Sequence, residues 1–258
     1  KKITEEGAKE DYSAIIAGVG YVFGFVIYAL MFIYGAMVMR GVIEEKANRI
    51  VEVIASSAKP FEIMMGKVLG IGAVGLTQVL FWILLSTILI FAAGSIIGGL
   101  SGQEAAEIAK QAQSGQMNMG PGSDFANSEA AEIMNVVNNI PMGLVIGFVF
   151  YFLAGYFIYS TLFAAVGSAV DQEQDAAQLQ TPIMIPIIIP ILFIFEVMSN
   201  PDSTMSVVLS LIPLFTPILM IVRIAATEVP LWQIGLSVLL LVGTFFGALW
   251  IASRIYRV

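Results

Sequence analysis

Six apolar runs dominate the chain: Ala14–Met39, Val68–Ile97, Pro141–Val170, Pro182–Met198, Val207–Ala226 and Leu231–Ala252. Roughly 18 consecutive apolar residues suffice for a helix to cross a bilayer. The apolar fraction of 58% exceeds the roughly half found in soluble domains. In hydrocarbon every backbone amide must be paired within the segment, so each spanning run has to be a helix. The expected fold is therefore an all-α integral membrane protein. At about 1.5 Å per residue the second and third runs outreach a hydrocarbon core of about 30 Å, and they are expected to tilt or project into water. Thr181-Pro182 and Asn139-Ile140-Pro141 read as helix starts, because proline in the first turn lacks only an N–H that would go unpaired anyway.

Orientation follows from the cations near the membrane ends. Arg40, Lys46, Arg49, Lys59 and Lys67 cluster between the first two runs, which puts that connection in the cytoplasm. The next connection, residues 99–139, sets Lys110 alone against five acids and reads as external. Arg254 and Arg257 near the end want the cytoplasm again. Only an odd number of spans satisfies all three regions. The run to demote is Val207–Ala226, which holds Pro213 and Pro217 mid-segment, each removing one helical hydrogen bond. It is expected to form a re-entrant or interfacial pair of short helices on the outer side, against the alternative of a kinked full span. That leaves five transmembrane helices within residues 14–258. Residues 1–13, without initiator Met or signal-peptide pattern, are expected to end an extracellular region of a longer polypeptide.

The stretch EEKANRIVEVIASSAKPFE interrupts the apolar pattern with seven charges, in a chain where 12% of residues are charged. Across residues 43–58, Ile43, Ala47, Ile50, Val51, Ile54 and Ala58 recur at the spacing of one helix face. Glu44, Glu45, Asn48, Arg49, Glu52 and Ser56 fill the opposite face, and Glu45 can pair with Arg49 at i,i+4. A helix of about 24 Å with this much charge cannot span. It is expected to lie along the cytoplasmic surface, or to stand just below it, until Pro60 halts it. One reading is a passive interfacial helix, but those are rich in Lys and Arg opposite bulky aromatic residues. Mixed charge over a small, β-branched face suits docking to a protein.

IEEKANRIVEVIASSAKPFEIMMGKVLG resembles the coupling region of type-2 ABC exporter permeases, most closely the sodium-extruding Nat-type subgroup. TPIMIPIIIP is similar to that family's proline-rich fifth helix. LIPLFTPILMIVRIA with EVPLWQIGLS resembles its outer re-entrant helices and last span, and ASRIYRV its usual ending. The resemblance implies a C-terminal part of a six-helix permease in a bacterial or archaeal cell membrane, paired as a homodimer or heterodimer with a similar permease. It further implies a separate cytoplasmic ABC ATPase that carries ATP and Mg, consistent with the lack of a G-x-x-x-x-G-K-[ST] loop here. The coupling set would be Glu44, Glu45, Lys46, Arg49, Ile50, Glu52, Val53, Ile54, Ser56, Ser57 and Pro60. Paired charges would hold register while Ile50, Val53 and Ile54 supply buried contact. The second cytoplasmic connection, DQEQDAAQLQ, would be a lesser contact or a plain solvated turn.

A transport path needs polar groups at membrane depth. Thr77, Gln78, Ser86 and Thr87 in the second run and Ser160 and Thr161 in the third are the candidates, with Glu196 and Arg223 as the two charges in outer apolar segments. An intramembrane charge is a functional candidate by default, although Glu196 and Arg223 suit a structural pair equally well. Pro186 and Pro190 each free a carbonyl four residues earlier, which lines a path or merely produces a kink. With neither cysteine nor histidine, thiolate and imidazole metal sites are excluded and no metal is expected. A net charge of −7 argues against nucleic acid as partner. The absence of His, Cys and G-x-S-x-G disfavours an intramembrane enzyme. The remaining alternative is a channel-like or structural membrane protein whose charged helix contacts lipid or a scaffold.

Overall fold

The computed structural model describes residues 3–48, 60–100, 140–170 and 173–255. Helices fill them almost entirely: α1 (Ile3–Ala47), α2 (Pro60–Leu100), α3 (Met142–Ala169), α4 (Glu173–Ser199), α5 (Thr204–Leu211), α6 (Thr216–Ala226) and α7 (Leu231–Ile255). Among the described residues there is no strand. Five helices (α1, α2, α3, α4 and α7) are long and apolar enough to cross a membrane. α5 and α6, at about 12 and 16 Å, are too short. The all-helical architecture with five spans is the one expected, and the proline-bearing run is indeed two helices. Pro213 falls in the break between them, and Pro217 sits in the first turn of α6, where it costs no hydrogen bond. Ser203 caps α5 by accepting from the Ser206 amide at 3.1 Å.

Several boundaries differ from those expected, and each difference has a local cause. α1 continues unbroken through Glu44, Glu45 and Lys46 to Ala47, because Glu, Lys and Ala are good helix formers and nothing there stops the ladder. The start of the anticipated coupling helix is thus an extension of the first span, while residues 49–59 lie outside the described ones. α4 begins at Glu173 rather than near Pro182. Of DQEQDAAQLQ, expected to be a lesser contact or a plain solvated turn, residues 173–180 are a polar helical extension of the span, and Pro182 becomes an interior proline with Pro186 and Pro190. The third run starts where its proline placed it, with Pro141 at the N-cap of α3.

The chain divides into two compact units, Lys1–Ala73 with Ile140–Val258, and Val74–Asn139. In the first unit α3 is central, packed against α1 on one flank and α7 on another, while α6 nests among α1, α3, α4 and α5. The α1–α3 seam is aromatic. Phe23 meets Phe148 at 4.5 Å between ring centroids, and Tyr34 meets Tyr156 edge-on at 6.2 Å. Glycine permits close approach where the helices cross: a Cβ on Gly167 would lie 2.8 Å from the backbone oxygen of Met39, and one on Gly24 2.9 Å from Val222. Lipid adds no hydrophobic drive between helices, so such close backbone contact is how they cohere. The second unit contains the continuation of α2 to Leu100.

Candidate coupling and transport-path sites

At the end of α1 the charged residues separate by face. Glu44 is exposed, whereas Glu45 and Lys46 are only half-exposed. Glu45 turns toward α2, where Lys67 Nζ donates to its Oε2 at 2.5 Å. Lys67 is 11% and Glu45 28% exposed, so the pair is partly shielded from water. Lys46 reaches in another direction, donating to the carbonyl oxygens of Ser168 at 3.1 Å and Val170 at 3.3 Å. Those carbonyls end α3, whose last turn carries no basic residue of its own. The last carbonyls of a helix lack internal partners and sit at its negative pole, where a cation is favourable. Lys46 supplies both the hydrogen bonds and the charge. Of the remaining coupling candidates, Arg49, Ile50, Glu52, Val53, Ile54, Ser56 and Ser57 lie outside the described residues, and Pro60 is the first residue of α2.

At the other end of the bundle, Arg223 on α6 is fully buried. Its Nε donates to the Pro201 carbonyl at 2.8 Å and Nη1 to Ser210 Oγ at 2.8 Å, while Nη2 has no partner. Burial depresses the guanidinium pKa, and the Asp202 carboxylate opposes that fall. A second contact closes the same corner, Thr227 Oγ1 donating to Asp202 Oδ2 at 3.2 Å. The anticipated pairing of Arg223 with Glu196 is absent: Glu196 is exposed and accepts from Asn200 Nδ2 at 3.2 Å. Arg223 therefore ties α6 to α5 and to the turn after α4.

The polar candidates at membrane depth fall into distinct environments. Ser160 and Thr161 are fully buried, and both hydroxyls donate back to the Phe157 carbonyl, at 3.3 and 2.7 Å. They are satisfied within their own helix. Thr77 and Gln78 are exposed in the second unit. Ser86 and Thr87 lie on α2, but their side chains are outside the described ones. The structure adds polar contacts that were not anticipated. Tyr151 and Ser237 share a 2.8 Å hydrogen bond between α3 and α7, and Tyr159 donates to the Leu214 carbonyl in the α5–α6 break. Gln233 on α7 is buried with its Oε1 unpartnered. The sequence marks Lys67 as a charge at the mouth of an apolar run without naming its partner. Among the described residues no cluster of His, Cys, Asp or Glu could hold a metal ion.

Comparison with known proteins places these features in a family. Residues 6–254 match the family described as "ABC-2 family transporter protein". The uncharacterized protein YhaP of Bacillus subtilis (strain 168) is 31% identical over 260 aligned positions, covering 100% of this chain and 55% of that protein. The uncharacterized protein MJ1024 of Methanocaldococcus jannaschii is 36% identical over 76 residues, 30% of this chain and 18% of that protein. The chain thus spans about half the length of YhaP and less of MJ1024. No solved structure matches. A multi-pass helical bundle matched from residue 6 to residue 254 belongs to the ABC-2 family of transporter proteins.

Proposed function

We propose that this chain is the membrane-spanning part of an ATP-driven exporter, moving substrate outward when a separate cytoplasmic ATPase acts on the stretch that follows Ile43. The observation that carries the reading is the family match over residues 6–254. ATP and Mg2+ belong to the partner ATPase, and a second permease, identical or similar, completes the complex in the cell membrane of a bacterium or archaeon. Exposed Glu44 and the charges beyond it, Arg49 and Glu52, hold register on the ATPase. Among the path candidates, Thr77 and Gln78 are exposed on α2, whereas Ser160 and Thr161 are buried within α3.

The test is purification of the full-length permease from its own membranes. A nucleotide-binding protein with a phosphate loop should accompany it, and Glu44→Lys combined with Arg49→Glu should release that protein while the permease stays monodisperse. A permease that never brings down such a subunit sinks the reading. Sodium is the first substrate to try, on the resemblance of the charged stretch to the Nat-type permeases. In proteoliposomes, sodium should stimulate ATP hydrolysis where potassium does not. If other compounds stimulate and sodium has no effect, the sodium assignment is abandoned and the exporter reading stands.

A further inference from the structure

Glu45 and Lys46 adjoin the stretch proposed to meet the ATPase, yet their own bonds lead back into the bundle. Glu45 holds Lys67, eight residues into α2. Lys46 holds the end of α3 through Ser168 and Val170. Neighbouring residues on one helix point about 100° apart, so two adjacent side chains can grip two different helices. Each grip is also strong for its kind. The ion pair is partly shielded from water, and an ammonium donating to carbonyls is a charge-assisted bond. α3 has no basic residue in its last turn, and Asp171 follows in the connection to α4. The cation that end requires comes from α1.

We propose that Glu45 and Lys46 are positioning residues that pass movement of the coupling stretch into the membrane, Glu45 through Lys67 to α2 and Lys46 through the α3 terminus to the second cytoplasmic connection. They are not contacts to the ATPase. This rests on the permease reading above and assigns its charged residues to two roles: Glu44 and those beyond Ala47 face the engine, and Glu45 and Lys46 face the load. The ends of α1 and α3 then move as one piece, because Lys46 joins them. A purely structural role for the same contacts would stabilise the bundle without linking ATP to helix displacement.

These 258 residues contain no cysteine, so each spin label introduced among them has a thiol of its own. In the full-length permease bound to its ATPase, labels at Leu69 on α2 and Ile146 on α3, each read against Leu192 on α4, report the two routes separately. All three positions are exposed. Trapping ATP with vanadate should shift both distances in the otherwise unmodified permease. Lys67→Met should abolish the Leu69 shift alone, and Lys46→Met the Ile146 shift alone, with the ATPase still bound. The exchange Glu45→Lys with Lys67→Glu should restore the Leu69 shift, and Lys46→Arg should keep the Ile146 shift. Should either Met variant fail to fold, the corresponding Gln variant is read the same way. Unchanged shifts in the Met variants overturn the proposal, as does release of the ATPase by them. If the complex forms but neither distance responds to nucleotide, this inference falls alone. If no complex forms, the permease–ATPase reading falls first and takes it along.

Discussion

Arg223 aims its guanidinium at two uncharged acceptors, the Pro201 carbonyl and the Ser210 hydroxyl. With Nη2 already unpartnered, there is no spare acceptor to take over a lost bond. Ser210→Ala should therefore lower stability by about 1–3 kcal/mol, the cost of leaving a buried donor unpaired. Arg223→Lys should lose at least one of the two bonds, since an ammonium cannot reproduce the fork. Both effects are measurable as lower unfolding temperatures in detergent. Tyr151→Phe gives the contrast. Its partner Ser237 also donates to the Ile234 carbonyl at 2.8 Å, so only one bond is lost, and membrane side-chain bonds average about 0.6 kcal/mol. The sequence marked Arg223 as a costly charge needing a partner. It did not reveal which partner, because Pro201 and Ser210 come together only through the α4–α5 turn and the α5–α6 break.

Helix crossings carry the next level of cohesion. A methyl on Gly167 would lie 2.8 Å from the Met39 backbone oxygen, and backbone cannot swing aside as a side-chain tip can. Gly167→Ala should force α1 and α3 apart and destabilise by about 1–3 kcal/mol. Gly235→Ala on α7, where a Cβ meets nothing within 4 Å, should be neutral or stabilise by up to about 1 kcal/mol through helix propensity. Thermal unfolding of the two variants side by side checks the pair. Element identity was legible in the sequence because it depends on local physics: apolar length sets a span, and Pro213 and Pro217 dictate a break and a restart. Ends were less legible. The polar tails of α1 and α4 are good helix formers that hydropathy alone assigns to connections. Pairings between elements, such as Glu45 with Lys67 or Lys46 with Ser168, were not legible, because residues far apart in the chain meet only once neighbouring helices are chosen.

At the scale of the whole molecule, the expected five-span topology puts the ends of α1 and α7 on one side. Glu44→Cys and Ser253→Cys should react with a membrane-impermeant maleimide only after the inner face is opened, and Gln113→Cys only from outside. Labelling of Glu44→Cys in intact cells would reverse the assigned orientation. At the end of α7, Arg254 lies 4.6 Å above the Trp250 ring, an aromatic–cation arrangement suited to the membrane boundary. One span is built unlike the others. Pro182, Pro186 and Pro190 recur every fourth residue inside α4, so the amides missing from its ladder fall along a single stripe. A rod with struts removed on one side has a preferred plane of flexure. The bending direction of α4 is accordingly written into the spacing of its prolines.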